Sequence, residues 1–482
     1  MTAIDRRKFL KAGTAATVGG LTGAGPLSAL LANAAGAEVR PVRGRRSIVA
    51  EDNGGYGPLS PTRDLATGET FLALPEGFSY TAFGQTGEMG SDGFPTPDRH
   101  DGMAAFPGPG ANQVRLVRNH ERGYSPVPFE GSGEQPLVGN PDFAYDRNSG
   151  GACTTLLFDT ASMRLVDSFI SINGTSVNCA GGLTPQGSWL TCEETTNGPS
   201  TELAGAGFQE THGYIFEVPA EGGVVTDPQP LRPMGRFAHE AVAIDPATGS
   251  VYETEDNGDE SGFYRFLPAR PDNLAAGGKL QMLAIRGRSN FDTRTGQTVG
   301  RPLPAEWVEI NDPDPAGATE NRSAVFEQGA AAGGATFARL EGAWFGDGRI
   351  YFNSTSGGEA GLGQVWEYRP LGGSSPFASR FGGLLTLIFE SPGASLLDSP
   401  DNITVTPRGG LALCEDGDDE QFVRGISVDG RIFDFALNLV SENEDKEFAG
   451  ACYSPDGTVL FVNIQTPGIS FAITGPFDKG SM

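Results

Sequence analysis

Hydrophobic and polar residues alternate with a period of two in many short runs of this chain, and Gly, Pro or Asp residues separate the runs. The segment HEAVAIDPATGSVY (239–252) shows the pattern: an alternating run, a Pro-Gly turn and a second run. Period-two alternation predicts strands, and the turns predict hairpins. Beyond the N-terminus no long segment has a helical period, so the pattern predicts an all-β protein.

One such hairpin recurs along the chain, which indicates a repeat architecture. Each copy has two strands and ends in a polar or acidic group before a Gly-containing loop. The copies begin at His100, Cys179, Glu240, Glu341, Asn402 and Gly450. Six small antiparallel sheets predict a six-bladed β-propeller with inserted loops, notably over 286–323. The alternative is a β-sandwich with chance similarity between hairpins. Residues 38 to about 80 are expected to supply an arm or outer strand that helps to close the ring.

The first 37 residues have the features of an export signal. Arg6 and Arg7 precede Phe9 and Leu10, and a weakly apolar stretch rich in Gly and Ala follows. This predicts a twin-arginine signal peptide over 1–37, with an Ala-Gly-Ala cleavage option at 35–37. The alternative is a membrane-anchored helix, which the Gly and Pro residues of the stretch disfavour. We therefore expect a single propeller domain over 38–482, without a stable membrane anchor. It would be periplasmic or extracellular after passage through the twin-arginine machinery.

The chain is strongly acidic, with a formal net charge of −26 at pH 7. This argues against nucleic acid and anionic lipid as partners, since both require a basic surface, and it is compatible with cations bound through oxygen ligands. The 5 cysteines form no CxxC pair, which argues against a structural zinc site. Because the number is odd, at least one thiol of an exported protein should be unpaired; whether Cys192 and Cys414 pair is left open.

The inner strands of a propeller converge on its axis, so equivalent residues of different blades should meet there. The strand-start position holds Asp101, Cys179, Glu240, Glu341, Asn402 and Gly450, and the end of the second strand holds the acid pairs Glu193-Glu194, Glu255-Asp256 and Glu415-Asp416. So many carboxylates repel one another unless multivalent cations neutralise them. Carboxylates and amides suit calcium, whereas a thiolate favours a transition metal such as iron. The alternative is a set of solvated turns.

Arg339 lies two residues before Glu341 and therefore on the same face of the predicted strand. Its planar guanidinium, beside metal-binding acids, would bind a tetrahedral anion such as phosphate. The alternative is a counter-ion for Glu341. Three histidines, at 100, 120 and 239, lie beside repeat positions and are expected to form structural hydrogen bonds. His212 has no evident role.

These motifs resemble the PhoX family of alkaline phosphatases. The matching stretches are RHDGMAAF (99–106), LVRNHE (116–121), GTSVNCAGGLTPQGSWLTCEE (174–194), GRFAHE (235–240), ARLEG (338–342) and SPDNI (399–403). The resemblance implies a six-bladed propeller that carries iron and calcium and hydrolyses small phosphorylated organic substrates outside the cytoplasm. The chain is shorter than better-known members, and RLEG and PDNI replace RPE-like and PDG-like stretches. Because shortened loops alter substrate recognition first, we expect these differences to affect the substrate more than the cofactor.

The resemblance also implies site residues. Arg339 would contact phosphate, and the metal ligands would be Cys179, Glu193 or Glu194, Glu240 and Glu341. The matching stretches and the repeat add Glu121, Glu255, Asp256, Asp401, Asn402, Glu415 and Asp416. The ions would polarise phosphate oxygens and activate an oxygen nucleophile. Two other functions stay open: a calcium-dependent propeller hydrolase such as a lactonase or phytase, and a non-catalytic, calcium-stabilised binding propeller.

Overall fold

The structure is a computed structural model that describes residues 53–124, 138–203, 207–371 and 382–482. The predicted export signal over 1–37 lies outside the described residues. Within those ranges, no helix has the length and apolar character needed to cross a membrane. All 5 cysteines are buried and none forms a disulfide, so Cys192 and Cys414 are not paired.

The described chain is built almost entirely from antiparallel strands, which confirms the all-β prediction. Three strands precede the repeats: β1 (Leu59–Thr62), β2 (Leu72–Pro75) and β3 (Ser79–Phe83). Unit 1 contains β4 (His100–Pro107), β5 (Gln113–His120), β6 (Gly151–Asp159) and β7 (Arg164–Thr175). Unit 2 contains β8 (Asn178–Leu183), β9 (Ser188–Glu193) and β10 (Ile215–Pro219). Unit 3 contains β11 (His239–Ile244), β12 (Val251–Glu255), β13 (Phe263–Pro268), β14 (Gly278–Ile285) and β15 (Pro302–Glu309).

The second half of the chain continues the same pattern. Unit 4 contains β16 (Leu340–Gly346), β17 (Arg349–Ser354), β18 (Gln364–Pro370) and β19 (Gly383–Glu390). Its outer strand β19 pairs with β15, so units 3 and 4 share one nine-stranded sheet. Unit 5 contains β20 (Pro400–Val405), β21 (Leu411–Glu415), β22 (Phe422–Ile426) and β23 (Ile432–Asn438), and unit 6 contains β24 (Phe448–Tyr453), β25 (Val459–Ile464) and β26 (Ile469–Thr474). One α-helix, α1 (Ala324–Ala331), lies between units 3 and 4; short 3₁₀ turns cover Asn53–Gly55, Pro141–Phe143, Arg232–Met234, Leu274–Ala276 and Phe477–Lys479.

The units are arranged as in a propeller. Within the described residues, the first strands of the units contact one another in a closed cycle: β4, β8, β11, β16, β20, β24 and again β4. The N-terminal β3 pairs with β26, so the first and last parts of the chain share one sheet, as predicted for an outer strand that closes the ring. The propeller prediction is confirmed; the number of blades stays a prediction, which this cycle of six strands supports.

The hydrophobic core lies between neighbouring units. Between units 1 and 2, for example, Ala104 and Val117 of one sheet pack with Trp189 and Phe216 of the next. Alternation along each strand supplies both faces, because the two sides of a sheet each meet a different neighbouring unit. The polar strand ends are thereby left to converge at one end of the axis.

The innermost strands approach one another closely at a bulge near their start. In each unit the register against the second strand shifts by one residue there. At Gly450, φ is +63°, and a Cβ would lie 2.4 Å from the carbonyl oxygen of Asp101 in unit 1. A side chain larger than hydrogen therefore has no room at this position.

We predict that Gly450→Ala lowers the free energy of unfolding by about 3 kcal/mol, since it adds a steric clash to the cost of a left-handed backbone. The matched control is Gly68→Ala, where φ is +78° but nothing lies within 4 Å of the added Cβ. The control should lose only about 1 kcal/mol. Urea unfolding of both variants measures the difference; equal losses would contradict the close approach of units 6 and 1.

Candidate metal centre

Three positions recur in every unit around the axis. The leading position is the residue immediately before the innermost strand, the axial position is the second residue of that strand, and the rim position is the residue immediately after the second strand. In all units the rim N–H donates a hydrogen bond to the leading carbonyl, for example Glu194 to Val177 (2.9 Å) and Asp416 to Ser399 (2.9 Å). This bond fixes where the three side chains of one unit lie relative to each other.

From unit 1 to unit 6, the axial positions hold Asp101, Cys179, Glu240, Glu341, Asp401 and Ala449. In the same order, the rim positions hold Glu121, Glu194, Asp256, Thr355, Asp416 and Gln465. The leading positions hold Arg99, Val177, Ala238, Arg339, Ser399 and Glu447. Four of the leading residues have positive φ although none of them is glycine: Arg99, Val177, Arg339 and Ser399. Such backbone strain is characteristic of functional sites, where the surrounding structure holds it in place.

The structure brings nine of these side chains into four overlapping groups. In each group the ligand atoms lie within 4.8 Å of one another. The groups are Cys179 with Glu194 and Glu240; Glu240 with Glu341 and Asp401; Asp401 with Asp416 and Glu447; and Glu447 with Asp101 and Glu121. Because neighbouring groups share a residue, eight carboxylates and one thiol form one continuous cluster.

Seven predicted ligands are members of this cluster: Glu121, Cys179, Glu194, Glu240, Glu341, Asp401 and Asp416. Two members were not among the predicted ligands. Asp101 stood at a strand start in the repeat alignment, so its equivalence to Cys179 was a usable signal. Glu447 lies three residues before the Gly450 at which the sixth copy was begun, and the alignment therefore could not reach it.

Three predicted ligands lie away from the cluster, because they are the last residues of the second strands and point into their own units. Glu193 accepts hydrogen bonds from the backbone N–H groups of Ser176 (2.8 Å) and Gly213 (2.8 Å). Glu255 accepts from Tyr264 Oη (2.6 Å), and Glu415 accepts from Arg424 Nε (2.9 Å). In each acid pair, then, the second residue faces the axis and the first supports the sheet.

Asn402 lies one residue beyond the axial position in which the repeat alignment placed it. The axial residue of unit 5 is Asp401, the second residue of β20, and that of unit 6 is Ala449, the second residue of β24. Asn402 supports its neighbour instead: its Nδ2 donates to Asp401 Oδ1 (2.8 Å), and its Oδ1 accepts from Gly450 N–H (2.6 Å). Its amide therefore connects units 5 and 6.

The clustered carboxyls are held in an environment that opposes their ionisation. Burial raises the pKa of Glu240 and Asp101, and the charge of Asp401 raises both further. Burial and then Asp416 raise the pKa of Asp401 to about 7. Burial, followed by Glu240 and Glu194, also raises the pKa of the Cys179 thiol. Cations at the cluster would reverse each of these effects, because they favour the charged forms.

The donor set fits metal ions. Among the described residues, Asp101 Oδ1 and Glu240 Oε1 are buried and accept no hydrogen bond, which leaves lone pairs directed into the cluster without a partner. Crowded carboxylates match the oxygen ligands of calcium, and the single thiol among them matches a transition metal.

Arginines surround the opening of the cluster. Arg339 donates from Nε and Nη2 to Asp256 (3.0 and 2.9 Å) and from Nη2 to Glu341 (2.9 Å). The guanidinium is therefore a counter-ion of Glu341, as the alternative interpretation of the sequence had it, and it also pairs with Asp256. Arg322, from the loop before α1, lies 3.4 Å from Glu194 Oε1 and donates to the Asp256 carbonyl (2.5 Å). Both side chains are more than 40% exposed, so their charge is accessible from solvent. Arg322 was not predicted, because it lies outside the repeat.

Comparisons with known proteins agree with this fold. A family model described as alkaline phosphatase PhoX matches residues 54–468. The structure of Pseudomonas fluorescens PhoX in complex with vanadate, a transition state analogue, superposes with a TM-score of 0.63 at 17% identity and covers 88% of this chain and 98% of that one. No curated protein sequence matches the chain.

More distant folds also align. A catalytically inactive virginiamycin B lyase from Staphylococcus aureus has a TM-score of 0.39 at 13% identity, covering 82% of this chain and 99% of that one. A gluconolactonase from Xanthomonas campestris has a TM-score of 0.38 at 11% identity, covering 87% and 98%. Likenesses this weak support no inference about activity.

His212, which had no evident role in the sequence analysis, supports the second strand of unit 2. It is fully buried, with Nδ1 2.7 Å from Glu193 Oε1 and Nε2 3.4 Å from Asp146 Oδ2. Burial by itself lowers the pKa of His212, but the charge of Glu193 and the hydrogen bonds to Asp146 and Glu193 raise it to about 9. The other three histidines form the expected structural hydrogen bonds, for example His239 Nε2 with the Gly235 carbonyl (3.1 Å).

We predict that His212→Gln lowers the free energy of unfolding by about 3 kcal/mol at pH 6. A raised histidine pKa stabilises the folded state fully below its unfolded value of about 6.5, and this contribution is lost as the pH rises through the folded value. The difference between the two proteins should therefore shrink from pH 6.5 to above pH 9. Urea unfolding at pH 6, 8 and 10 tests this, and a difference that does not vary with pH would rule out the charged pair.

Proposed function

The chain belongs to the PhoX family of alkaline phosphatases and is a phosphatase, and from this premise we propose that it hydrolyses phosphate monoesters at a cluster of iron and calcium ions on the propeller axis. The observation that carries the proposal is the convergence of eight carboxylates and the Cys179 thiol in overlapping groups. The vanadate complex of the Pseudomonas protein supports a phosphoryl group as the occupant, since vanadate is a transition state analogue there.

The donor set divides naturally between two kinds of ion. Cys179, Glu194 and Glu240 would hold iron, because a thiolate ligand favours a transition metal. The groups around Asp401 and Glu447 contain only carboxylates and would hold calcium. When bound, the ions would neutralise the carboxylates, polarise phosphate oxygens and provide the nucleophile at moderate pH.

The protein's own contribution to the reaction is positioning and charge. Asp256 and Glu341 hold Nε and Nη2 of Arg339, which fixes the plane of the guanidinium at the opening of the cluster. Within the described residues, Arg339 Nη1 has no hydrogen-bond acceptor and is available to an oxygen of the substrate. A fixed guanidinium stabilises the negative charge of the transferred phosphoryl group without reorganising during the reaction. Arg322 brings a second positive charge to the same opening.

Export by the twin-arginine machinery completes the proposal. The Arg6-Arg7 motif and the Ala-Gly-Ala stretch support it, and export of a folded chain suits a protein that binds its metals before it leaves the cytoplasm. Phosphate esters outside the cytoplasm would then be the substrates. Cell fractionation of the wild type beside a variant with both arginines changed to lysine would measure the dependence.

We predict that Glu194→Gln lowers both the bound metal and the rate of p-nitrophenyl phosphate hydrolysis by about tenfold or more, because it removes a ligand charge from the cluster. Glu193→Gln is the matched control: it should lower stability but keep the metal content of the folded protein, since Glu193 faces His212. Elemental analysis of natively exported protein, and activity with and without chelator, give the result. Absence of iron in the wild type would overturn the iron assignment, whereas metals without hydrolysis would overturn the substrate assignment.

We predict that Arg339→Ala lowers kcat/KM for p-nitrophenyl phosphate by about 100-fold, because one charged donor to the transition state is lost. Arg339→Lys should recover only part of this, since an ammonium cannot keep the contacts to both Asp256 and Glu341. Metal content should stay near that of the wild type in both variants. Unchanged kinetics would reduce Arg339 to a counter-ion of Glu341.

A further inference from the structure

A fully buried arginine lies where the ring of units closes, and it is not part of the metal centre. Arg118 belongs to β5 of unit 1 and has no exposed surface. Its Nη1 donates to the carbonyl of Gly84 (3.0 Å), which follows β3, and to Ser470 Oγ (2.6 Å) in β26. The side chain thus reaches from unit 1 into the sheet that contains both the N-terminal β3 and unit 6.

The other side of this guanidinium has no acceptor. Arg118 Nε and Nη2 are buried and have no hydrogen-bond partner among the described residues. These two nitrogens share one edge of the planar group, the edge that binds anions through two parallel N–H groups. The partners of Nη1 are both neutral, so they satisfy hydrogen bonds without balancing the charge.

Two other buried arginines have a carboxylate, and a third, Arg236, has carbonyl acceptors for both Nε and Nη2, the nitrogens that Arg118 leaves without a partner. Arg349 lies 3.2 Å from Glu367 and Arg424 lies 2.9 Å from Glu415. For Arg118 no ion pair is present within the described part of the chain, and burial lowers its pKa to about 9, with only the charge of Glu88 opposing. An unpaired buried charge costs several kcal/mol, so a folded protein normally provides a counter-charge.

The nearest titratable groups do not provide one. The rings of His100 and His120 lie 5.1 Å apart. His120 is saturated by the Asp98 carbonyl (2.9 Å) and Thr154 Oγ1 (3.0 Å). His100 Nε2 bonds the Pro97 carbonyl (3.0 Å), and its Nδ1 is a second buried atom without a partner. An imidazole, whether neutral or protonated, carries no negative charge and leaves the guanidinium uncompensated.

We propose that Arg118 binds a monovalent anion of the size of chloride, held by Nε and Nη2 at the closure between units 1 and 6. A single charge is required because a dianion would replace one uncompensated buried charge by another of opposite sign. The anion is a structural ligand that stabilises ring closure. It is separate from the phosphoryl group of the catalytic reaction, and the proposal does not depend on the phosphatase activity.

The test measures the melting temperature of the mature, metal-loaded protein while sodium chloride replaces sodium gluconate at constant ionic strength. A ligand that binds only the folded state raises the melting temperature, here by about 3 °C when chloride is about 100-fold above its Kd. Bromide should act like chloride. In a crystal grown with bromide, anomalous scattering should place the ion beside Arg118 Nε and Nη2. A melting temperature that is the same in both salts, with no bromide at Arg118, would overturn the proposal.

Two variants separate this site from general salt effects. Arg118→Met removes the charge and keeps the chain length, so its melting temperature should not vary between chloride and gluconate. Arg349→Met is the control: it removes a buried arginine that already has a carboxylate, so it should be less stable than wild type and keep the full chloride response. A chloride response retained in Arg118→Met would assign the effect elsewhere. If Arg118→Met does not fold, the bromide position in the wild type decides alone.

Discussion

The convergence of the innermost strands on one axis is the constraint on which the rest of this protein depends. The strands lie so close that the residue beside each axial position must be small or must itself connect two units, as Gly450 and Asn402 do. Buried amides hold the ring at this level: Asn119, Asn353 and Asn463 each donate to the carbonyl of the axial residue of the next unit, at 2.8, 2.7 and 2.6 Å. The close approach of the innermost strands therefore determines the packing, the hydrogen bonds between units and the positions of the site residues together.

That arrangement is electrostatically costly. Eight carboxylates, all but Asp416 buried or half-buried, repel one another, and the strained leading residues add to the cost. Arg339 offsets part of the negative charge. Among the described residues, no donor forms a hydrogen bond to Asp101 Oδ1 or Glu240 Oε1. Arg118 is the inverse case, a buried cation without an acid. In both places the fold holds a charge that the protein's own residues do not balance, which is how a binding site differs from a structural ion pair.

Much of the fold and part of the site could be predicted. Alternation and turns identified the first two strands of every unit, and the acid pairs marked the ends of second strands. The pairs could not be resolved into ligand and support, because both residues of Glu193-Glu194 are acidic and only their direction differs. Asp401 and Asn402 were equally ambiguous, since the alternation did not show that the innermost strand begins at Pro400 rather than one residue later. The twin-arginine segment stays a prediction.

The sequence by itself determined the all-β repeat, the chemistry of the acids and the thiol, and the likeness to PhoX phosphatases, because these depend on local pattern and residue type. Only the tertiary structure decided which side chains meet. It placed Glu447 in the cluster, turned Glu193, Glu255 and Glu415 away, and enclosed Arg118 without a counter-charge. The physical reason is that direction and burial depend on register, bulges and ring closure, which join residues hundreds of positions apart.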